Sequence, residues 1–480
     1  MKLIFEKSKP NQKGLKLPKL DVPEADLKQI PEKFLRKSEI HLPEVAENEV
    51  VRHYIELSTK NYHIDKGFYP LGSCTMKYNP KINETTSSLP GFTNLHPFQP
   101  TKTLQGALAL MYDLGEKLKE ITGLQGITLQ PSAGAHGEYT AIMMFKKYHD
   151  TKGNKHKNVI LIPDSAHGTN PASVAISGLV PVTVKSDEKG MVDLADFESK
   201  LNENVAGMMI TNPNTVGIFE KNIKLIAKKL HDIDALLYMD GANLNALLGI
   251  VRPVDIGFDA VHINLHKTFS TPHGGGGPGS GPVAVSEKLI PFLPLPQVKI
   301  NEEGAYYLEW VNSKSIGKVH SFFGNFAILV RAYTYLLMQG KDGMKEISMN
   351  AIINANYLLA KLKDHFELGY KETPMHEFVL SGSKFKEQGV KVLDIAKRLL
   401  DYGFHAPTIY FPLIVHDALM IEPTESEPKS RLDEFAEAMI RIKNEIYENP
   451  ELLLKAPTTT PVKRLDDAKA AREIDVNYFK

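Results

Sequence analysis

Between about residues 100 and 330 the chain alternates short apolar runs with segments long enough for a helix. The runs are Ile127–Gln130, Val159–Ile162, Gly207–Ile210, Leu236–Met239 and Ala260–Ile263. Each has the length of a strand, and helix-like stretches such as Gln105–Thr122 and Tyr139–Tyr148 accompany them. Strands that alternate with helices pair in parallel, because a parallel connection needs a crossover and the helix supplies it. The pattern predicts an α/β domain with a mostly parallel sheet.

Open α/β sheets place ligands outside the carboxyl ends of their strands, so the residues after each run carry the most information. After Ile127–Gln130 comes Pro131–Ser132–Ala133–Gly134–Ala135–His136–Gly137–Glu138, which opens a helix. It is either a phosphate seat, with the Gly134 and Ala135 N–H groups facing the anion, or a helix start capped by Ser132. His167 follows the second run and either stacks on an aromatic ring or is a plain loop residue. The third run enters Thr211–Asn212–Pro213–Asn214. The fourth ends in Asp240–Gly241–Ala242–Asn243, where an aspartate suits a magnesium ion, a helix cap or a pyridine nitrogen.

After the fifth run stands Asn264–Leu265–His266–Lys267–Thr268–Phe269, then a loop with glycine at 274–277 and 279. Gly274, Gly276 and Gly279 match G-x-G-x-x-G, but Pro278 interrupts the loop and Pro282–Val285 reads as a strand where a helix should begin. A dinucleotide fingerprint is thereby excluded. A P-loop is excluded too, since Lys267–Thr268 precede the glycines. A lysine in such a setting suits a Schiff base, which needs an amine brought close to a carbonyl cofactor. Gly134, Ala135, His167, Asn212, Asp240 and Lys267 then fall in chain order at successive strand ends. The steps from Asn212 to Asp240 and from Asp240 to Lys267 are 28 and 27 residues, each about one β–α repeat. A pyridoxal phosphate (PLP) enzyme needs such a set: a phosphate seat, a stacking group (His167), a donor to the ring hydroxyl (Asn212), an acid at the ring nitrogen (Asp240) and the lysine. Ala242 and His266 are expected beside the cofactor; His266 and His273 either tune charge there or are structural. No metal site is expected.

This set resembles the fold-type I (aminotransferase-like) PLP enzymes. The likeness extends to the loops Tyr69–Lys77, Ser132–Glu138, His167–Ala172, Met239–Asn245, Asn264–Phe269 and Ile421–Glu427. Together they resemble the P proteins of the glycine cleavage system, the glycine dehydrogenases (decarboxylating), over roughly residues 50 to 430. The likeness is to the carboxyl half of the long-chain form, a separate subunit 2 in the two-subunit form. Ser132–Ala133 and His136 depart from the Asn–Ser and Gln usual in long-chain members. The resemblance implies glycine decarboxylation with PLP covalent on Lys267, and catalytic roles for Lys267, Asp240 and His167. It further implies transfer of the aminomethyl group to a lipoylated H protein. The implied partner is a subunit 1, in a heterodimer doubled to a tetramer. Another fold-type I aminotransferase or decarboxylase would need an arginine clamp for the substrate carboxylate, and the motif loops contain no arginine. A non-catalytic interaction subunit would not need both Lys267 and Asp240.

The 480 residues imply more than one domain, and a formal net charge of zero gives no nucleic-acid footprint. The single cysteine, Cys74, excludes an intrachain disulfide framework and fits a reducing compartment. In the loop Phe68–Pro80 it is either a reactive thiol or a small buried apolar residue, and the second reading is preferred. No apolar run suits a signal peptide or a membrane span, so a cytoplasmic location is expected. Boundaries are expected at 1–65 (an extended Pro-rich arm and a first helix near Glu44–Thr59), 66–330 (the large PLP-binding domain), 331–455 (a smaller α+β domain) and 456–480 (a tail). Helices are expected at Ala332–Met338, Met344–Leu362 and Leu432–Tyr447. Buried positions at Tyr333, Leu336, Leu337, Ile352, Ile353, Tyr357 and Leu359 and a Ser430–Asp433 capping box should accompany them.

Overall fold

A computed structural model describes residues 1–274 and 279–478. Most of the glycine loop expected to follow Lys267, Gly275–Pro278, therefore lies outside the described residues. The chain divides into two compact units, Met1–His63 and Ile64–Lys480. The first unit holds three short 3-10 turns and the helix Glu47–Lys60. It has almost no core: Val45 and His53 are buried, while Val51, Tyr54 and Ile55 of the helix are exposed.

The second unit is built on a sheet that, among the described residues, has seven strands in the order β1-β7-β6-β5-β4-β2-β3. They are β1 (Gly126–Thr128), β2 (Val159–Pro163), β3 (Val180–Val184), β4 (Val205–Thr211), β5 (Leu236–Gly241), β6 (Ala260–Ile263) and β7 (Val283–Val285). Strands β3, β2, β4, β5 and β6 pair in parallel, and β7 runs against both its neighbours. Every residue of β4, β5 and β6 is buried, which explains why these strands read as unbroken apolar runs. Their side chains alternate between two cores. Val205, Met208, Leu237, Met239 and Val261 join one, whereas Ala206, Met209, Leu236, Tyr238 and Ala260 join the other.

Two close backbone approaches hold the centre together. The helix Gln105–Thr122 ends at Gly123 with φ 73°, where a β-carbon would come within 2.3 Å of Val254. At the end of β5, a β-carbon on Gly241 would lie 1.9 Å from the His262 carbonyl oxygen.

A smaller antiparallel sheet in the order β10-β11-β13-β12 carries a third core. Its strands are β10 (Glu367–Leu368), β11 (Phe378–Ser381), β12 (Thr408–Ile409) and β13 (Ala418–Ile421), and a β8–β9 hairpin (Gln297–Ile300, Tyr306–Glu309) precedes them. Helices Val392–Asp401 and Lys429–Glu448 pack their apolar stripes against this sheet. The two helices expected between 332 and 362 form one, Phe326–Leu362, kinked at Gly340 (φ 61°, ψ −172°). Its buried face differs from the expected one. Leu336 is buried, but Leu337 and Ile353 are exposed, and Met344, Ile347, Ala351, Ala355 and Leu358 take the inward positions. The expected Ser430–Asp433 capping box does not form. The helix begins at Lys429 after Pro428, and Asp433 instead binds Lys429, Lys361 and Tyr357. No helix of the described residues is long and apolar enough to cross a membrane.

Gly241→Ala should separate β5 from β6. We expect a loss of about 2–3 kcal/mol, read as a drop in Tm of several degrees by circular dichroism; an unchanged Tm would contradict the register Gly241–Ile263.

Candidate active site

The carboxyl ends of β4, β5 and β6 open into a cavity of about 180 Å³. Gly134, Ala135, His167, Asp240, Ala242, His266 and Lys267, seven of the residues expected beside the cofactor, all line it. Glu138, Thr169, Thr211, Thr215, His262, Asn264, Ser73 and Cys74 line it as well.

Asp240 stands at the last turn of β5 and is almost fully buried. Its Oδ2 accepts from Asn170 Nδ2 at 3.1 Å, and Oδ1 accepts from the Ala242 N–H at 2.9 Å. His262, its register partner on β6, brings Nε2 within 3.5 Å of Oδ1. Burial alone would push the carboxyl up. His262, Asn170, Lys267 and the Ala242 N–H outweigh it and hold Asp240 below the usual carboxylate range. Tyr238, two residues earlier on the same face of β5, meets His262 Nδ1 at 2.5 Å. Burial, then Glu138 and Asp240, push the Tyr238 phenol well above its ordinary value, so it stays protonated and donates. The His262 proton is therefore left on Nε2, pointing at Asp240. Tyr238, His262 and Asp240 form one chain that keeps the carboxylate charged and aimed.

Lys267 leaves the turn after β6, and its Nζ donates to the Ser73 carbonyl at 2.6 Å. His266 and His273 lie beside it with ring centroids 5.1 Å apart. Burial first, then neighbouring positive groups, depress His266 to about 3 and His273 to about 4, so both are neutral.

The helix Gly134–Thr151 starts at the cavity wall. Ala133 occupies its cap position and no side chain accepts from its first turn, so the Ser132 cap does not form. Ser132 instead meets His136 Nδ1. A β-carbon on Gly134 would stand 2.7 Å from Asn264 Oδ1, and one on Gly281 would stand 2.1 Å from the Ala133 carbonyl. This uncapped, side-chain-free helix start fits an anion. Polar atoms without protein partners face the same region, among them Asn264 Oδ1, His266 Nδ1 and Thr211 Oγ1. The cavity thus has an anion seat at one wall, a carboxylate in its depth and an amine opposite, which suits PLP.

Two expectations fare differently. His167 reaches the cavity but is exposed at its mouth, edge-on to Phe411 with centroids 5.5 Å apart. Asn212 does not line the cavity: its Oδ1 turns inward to accept from the Glu220 N–H at 3.0 Å. Thr211 and Thr215 line the cavity there, with the Thr215 hydroxyl donating to the Ser165 carbonyl.

Cys74 also lines the cavity. Burial raises its thiol, Lys267 lowers it, and Glu422 and Glu377 raise it again; the net shift is upward, so the thiol form prevails. The loop around it is held from beneath by two buried glutamates. Glu377 Oε2 accepts from the Ser73 N–H at 2.7 Å and Glu422 Oε2 from the Thr75 N–H at 3.0 Å. Burial and mutual repulsion push Glu377 well above its ordinary value, and burial pushes Glu422 up to about 7.

Comparison with known proteins decides the family. Residues 9–302 match the glycine cleavage system P-protein family model, and residues 347–458 match the glycine dehydrogenase C-terminal domain. The chain belongs to the glycine cleavage system P-protein family. A "Probable glycine dehydrogenase (decarboxylating) subunit 2" of Chloroherpeton thalassium is 61% identical over 99% of this chain and 97% of its own length. A relative of the same name from Caldanaerobacter subterraneus subsp. tengcongensis is 56% identical over 100% and 99%. Among solved structures, an inhibitor-bound glycine decarboxylase (P-protein) aligns with TM-score 0.72 at 20% identity, over 87% of this chain and 94% of that one. The glutamate decarboxylase of Lactobacillus brevis CGMCC 1306 aligns with TM-score 0.66 at 12% identity, over 88% and 97%. The fold of this P-protein family member is that of the fold-type I PLP enzymes.

His262, Glu377 and Glu422 were not singled out from the sequence. Each is a polar residue inside or at the end of an apolar strand run, and that mismatch was the available signal.

Because the Asp240 value is depressed in the folded chain, its stabilising effect is present above the ordinary carboxylate range and is lost as pH falls through the depressed value. With the cofactor removed, wild type should exceed Asp240→Asn in Tm near neutral pH, and the gap should close in acid. A gap independent of pH would contradict the charged state.

Proposed function

We propose that this chain is the PLP-bearing subunit of a glycine dehydrogenase (decarboxylating), with Lys267 as covalent anchor and Asp240 as the acid at the ring nitrogen. PLP supplies a carbonyl for covalent capture of the glycine amine and an electron-accepting ring that stabilises the charge left when CO2 departs. Lys267 would hold the cofactor, and the Ser73 carbonyl gives its Nζ a fixed acceptor. Asp240, kept ionised by His262 and Asn170, holds a proton on the ring nitrogen. The first N–H groups of the helix at Gly134 and Ala135 receive the phosphate. His266 stays neutral beside the lysine, so it adds no positive charge there. His167, exposed at the mouth of the cavity, would cover the cofactor there.

One observation carries the reading: Lys267 and Asp240 line a single cavity among whose described lining residues there is no arginine. An aminotransferase, which keeps its substrate carboxylate, needs a fixed cationic clamp for it, and the absence of one fits a substrate whose carboxylate is lost. The partners follow from the subunit 2 relationship. We place a subunit 1 beside this chain, in a heterodimer that doubles to a tetramer, with the Pro-rich segment from about residue 7 to 42 as a clasp. The aminomethyl product passes to a lipoylated H protein through the mouth framed by His167 and the Tyr69–Lys77 loop. The location that fits is the cytoplasm.

Lys267→Ala should remove the visible absorbance of bound PLP and reduce glycine-dependent CO2 exchange to background; survival of both would refute the anchor. The isolated chain should turn over at least tenfold more slowly than the same chain mixed with subunit 1 and lipoylated H protein. Equal rates would refute the need for a partner.

A further inference from the structure

Behind the Ser73–Thr75 loop lies a cluster that the chemistry above leaves unused. His376, Glu377 and Glu422 are each fully buried, at 0% exposure. His376 Nε2 stands 3.8 Å from Glu377 Oε1 and 3.8 Å from Glu422 Oε1. One donor atom from each of the three lies within 4.8 Å of the other two. Among the described residues, neither ring nitrogen of His376 has a hydrogen-bond partner, and neither has Glu422 Oε1. Among the described residues, no lysine or arginine ion-pairs with either glutamate.

Such an arrangement is costly as it stands. Buried polar atoms are ordinarily satisfied, and two buried carboxylates side by side stay ionised only with a counter-charge; here Glu377 Oε1 accepts from Asn243 Nδ2 at 2.9 Å, and His376 and Glu422 Oε1 are left without partners among the described residues. The 3.8 Å separations exceed direct hydrogen-bond length, yet fall short of the roughly 4.5 Å that two bonds through one water span. They leave room for a single atom held by three donors. We propose that His376, Glu377 and Glu422 bind a divalent cation of the zinc or manganese type. One imidazole and two carboxylates suit borderline first-row ions, and two negative charges balance one divalent ion. A small contraction of the cluster brings each donor to about 2.0–2.2 Å from the metal. The outer oxygens are already oriented, because each glutamate accepts a loop N–H through Oε2. Such outer hydrogen bonds fix metal ligands in place. The cation would stiffen the loop whose Ser73 carbonyl receives Lys267, so it acts on the lysine by position and takes no part in bond-making.

The experiment uses the untagged full-length chain carrying PLP. Elemental analysis should find about one first-row divalent metal per chain. After treatment with a chelating resin, Zn2+ followed by competition with a chromogenic chelator, and Mn2+ followed by electron paramagnetic resonance, should each bind saturably at one site. His376→Ala and Glu422→Gln should each weaken that binding at least tenfold. Glu422→Gln, nearly isosteric, should keep the circular dichroism and the visible absorbance of bound PLP. Less than a tenth of an equivalent of metal at saturating Zn2+ or Mn2+ would show an acid pair that merely holds its own protons, and would overturn the proposal. Binding that survives both substitutions would place the metal elsewhere and overturn it equally.

Discussion

A carboxylate at the end of a fully buried strand must keep its charge without water, and the rest of the cavity is arranged around that constraint. Asp240 meets it with two hydrogen bonds, from the Asn170 amide and the Ala242 N–H, and with the His262 imidazole 3.5 Å away. The parallel register sets Asp240 opposite His262. The interlocked strands supply that register, because slipping by one residue would turn Tyr238 out of one core and towards the other. Sheet and charge therefore depend on each other. The apolar packing fixes the register, and the register lets an ionised group stay where the cofactor ring needs it.

Much of this architecture was legible because it is periodic. The β–α alternation and the strand-end positions of Gly134, His167, Asp240 and Lys267 follow from local rules, and the cavity gathers those residues. What escaped is what depends on partners distant in sequence. Asn212 follows its strand as expected, but Glu220 claims its carbonyl oxygen, and nothing in the run Thr211–Asn214 announces that. The His262 face became clear only when Tyr238 appeared next to it. The helix Phe326–Leu362 shows a different failure. Its apolar residues wrap most of the way round, so the pattern could not tell which side would be covered, and Leu337 and Ile353 ended in solvent. The capping box at Ser430 failed because Lys361 and Tyr357, on another helix, compete for Asp433.

The loop Tyr69–Lys77 lies between the cavity and the two buried glutamates. Ser73 and Thr75 both adopt positive φ, 61° and 37°, a costly backbone for non-glycine residues. That backbone turns the Ser73 and Thr75 N–H groups down to the glutamates, while the Ser73 carbonyl faces Lys267. Cys74 between them is thereby presented to the cavity as a neutral thiol, so its presence there is a consequence of the turn and requires no nucleophilic role.

Phe68 and Gly72, at the start of that loop, belong to the smaller sheet by every physical measure. Phe68 is buried in its core and packs edge-on to Phe435 with centroids 5.1 Å apart. Gly72 donates its N–H to the Met420 carbonyl, so close that a β-carbon would come within 2.2 Å of the Met420 side chain. The smaller lobe is therefore discontinuous in the gene: its last staple is encoded more than two hundred residues before its first strand. A fragment cut after the large sheet would keep Phe68 and Gly72 but lose the core and the strand that receive them, leaving an exposed aromatic ring and an unpaired N–H. Ribosomal synthesis delivers the staple first, but it can find its seat only when β13 has emerged, so neither lobe is finished until nearly the whole chain is made.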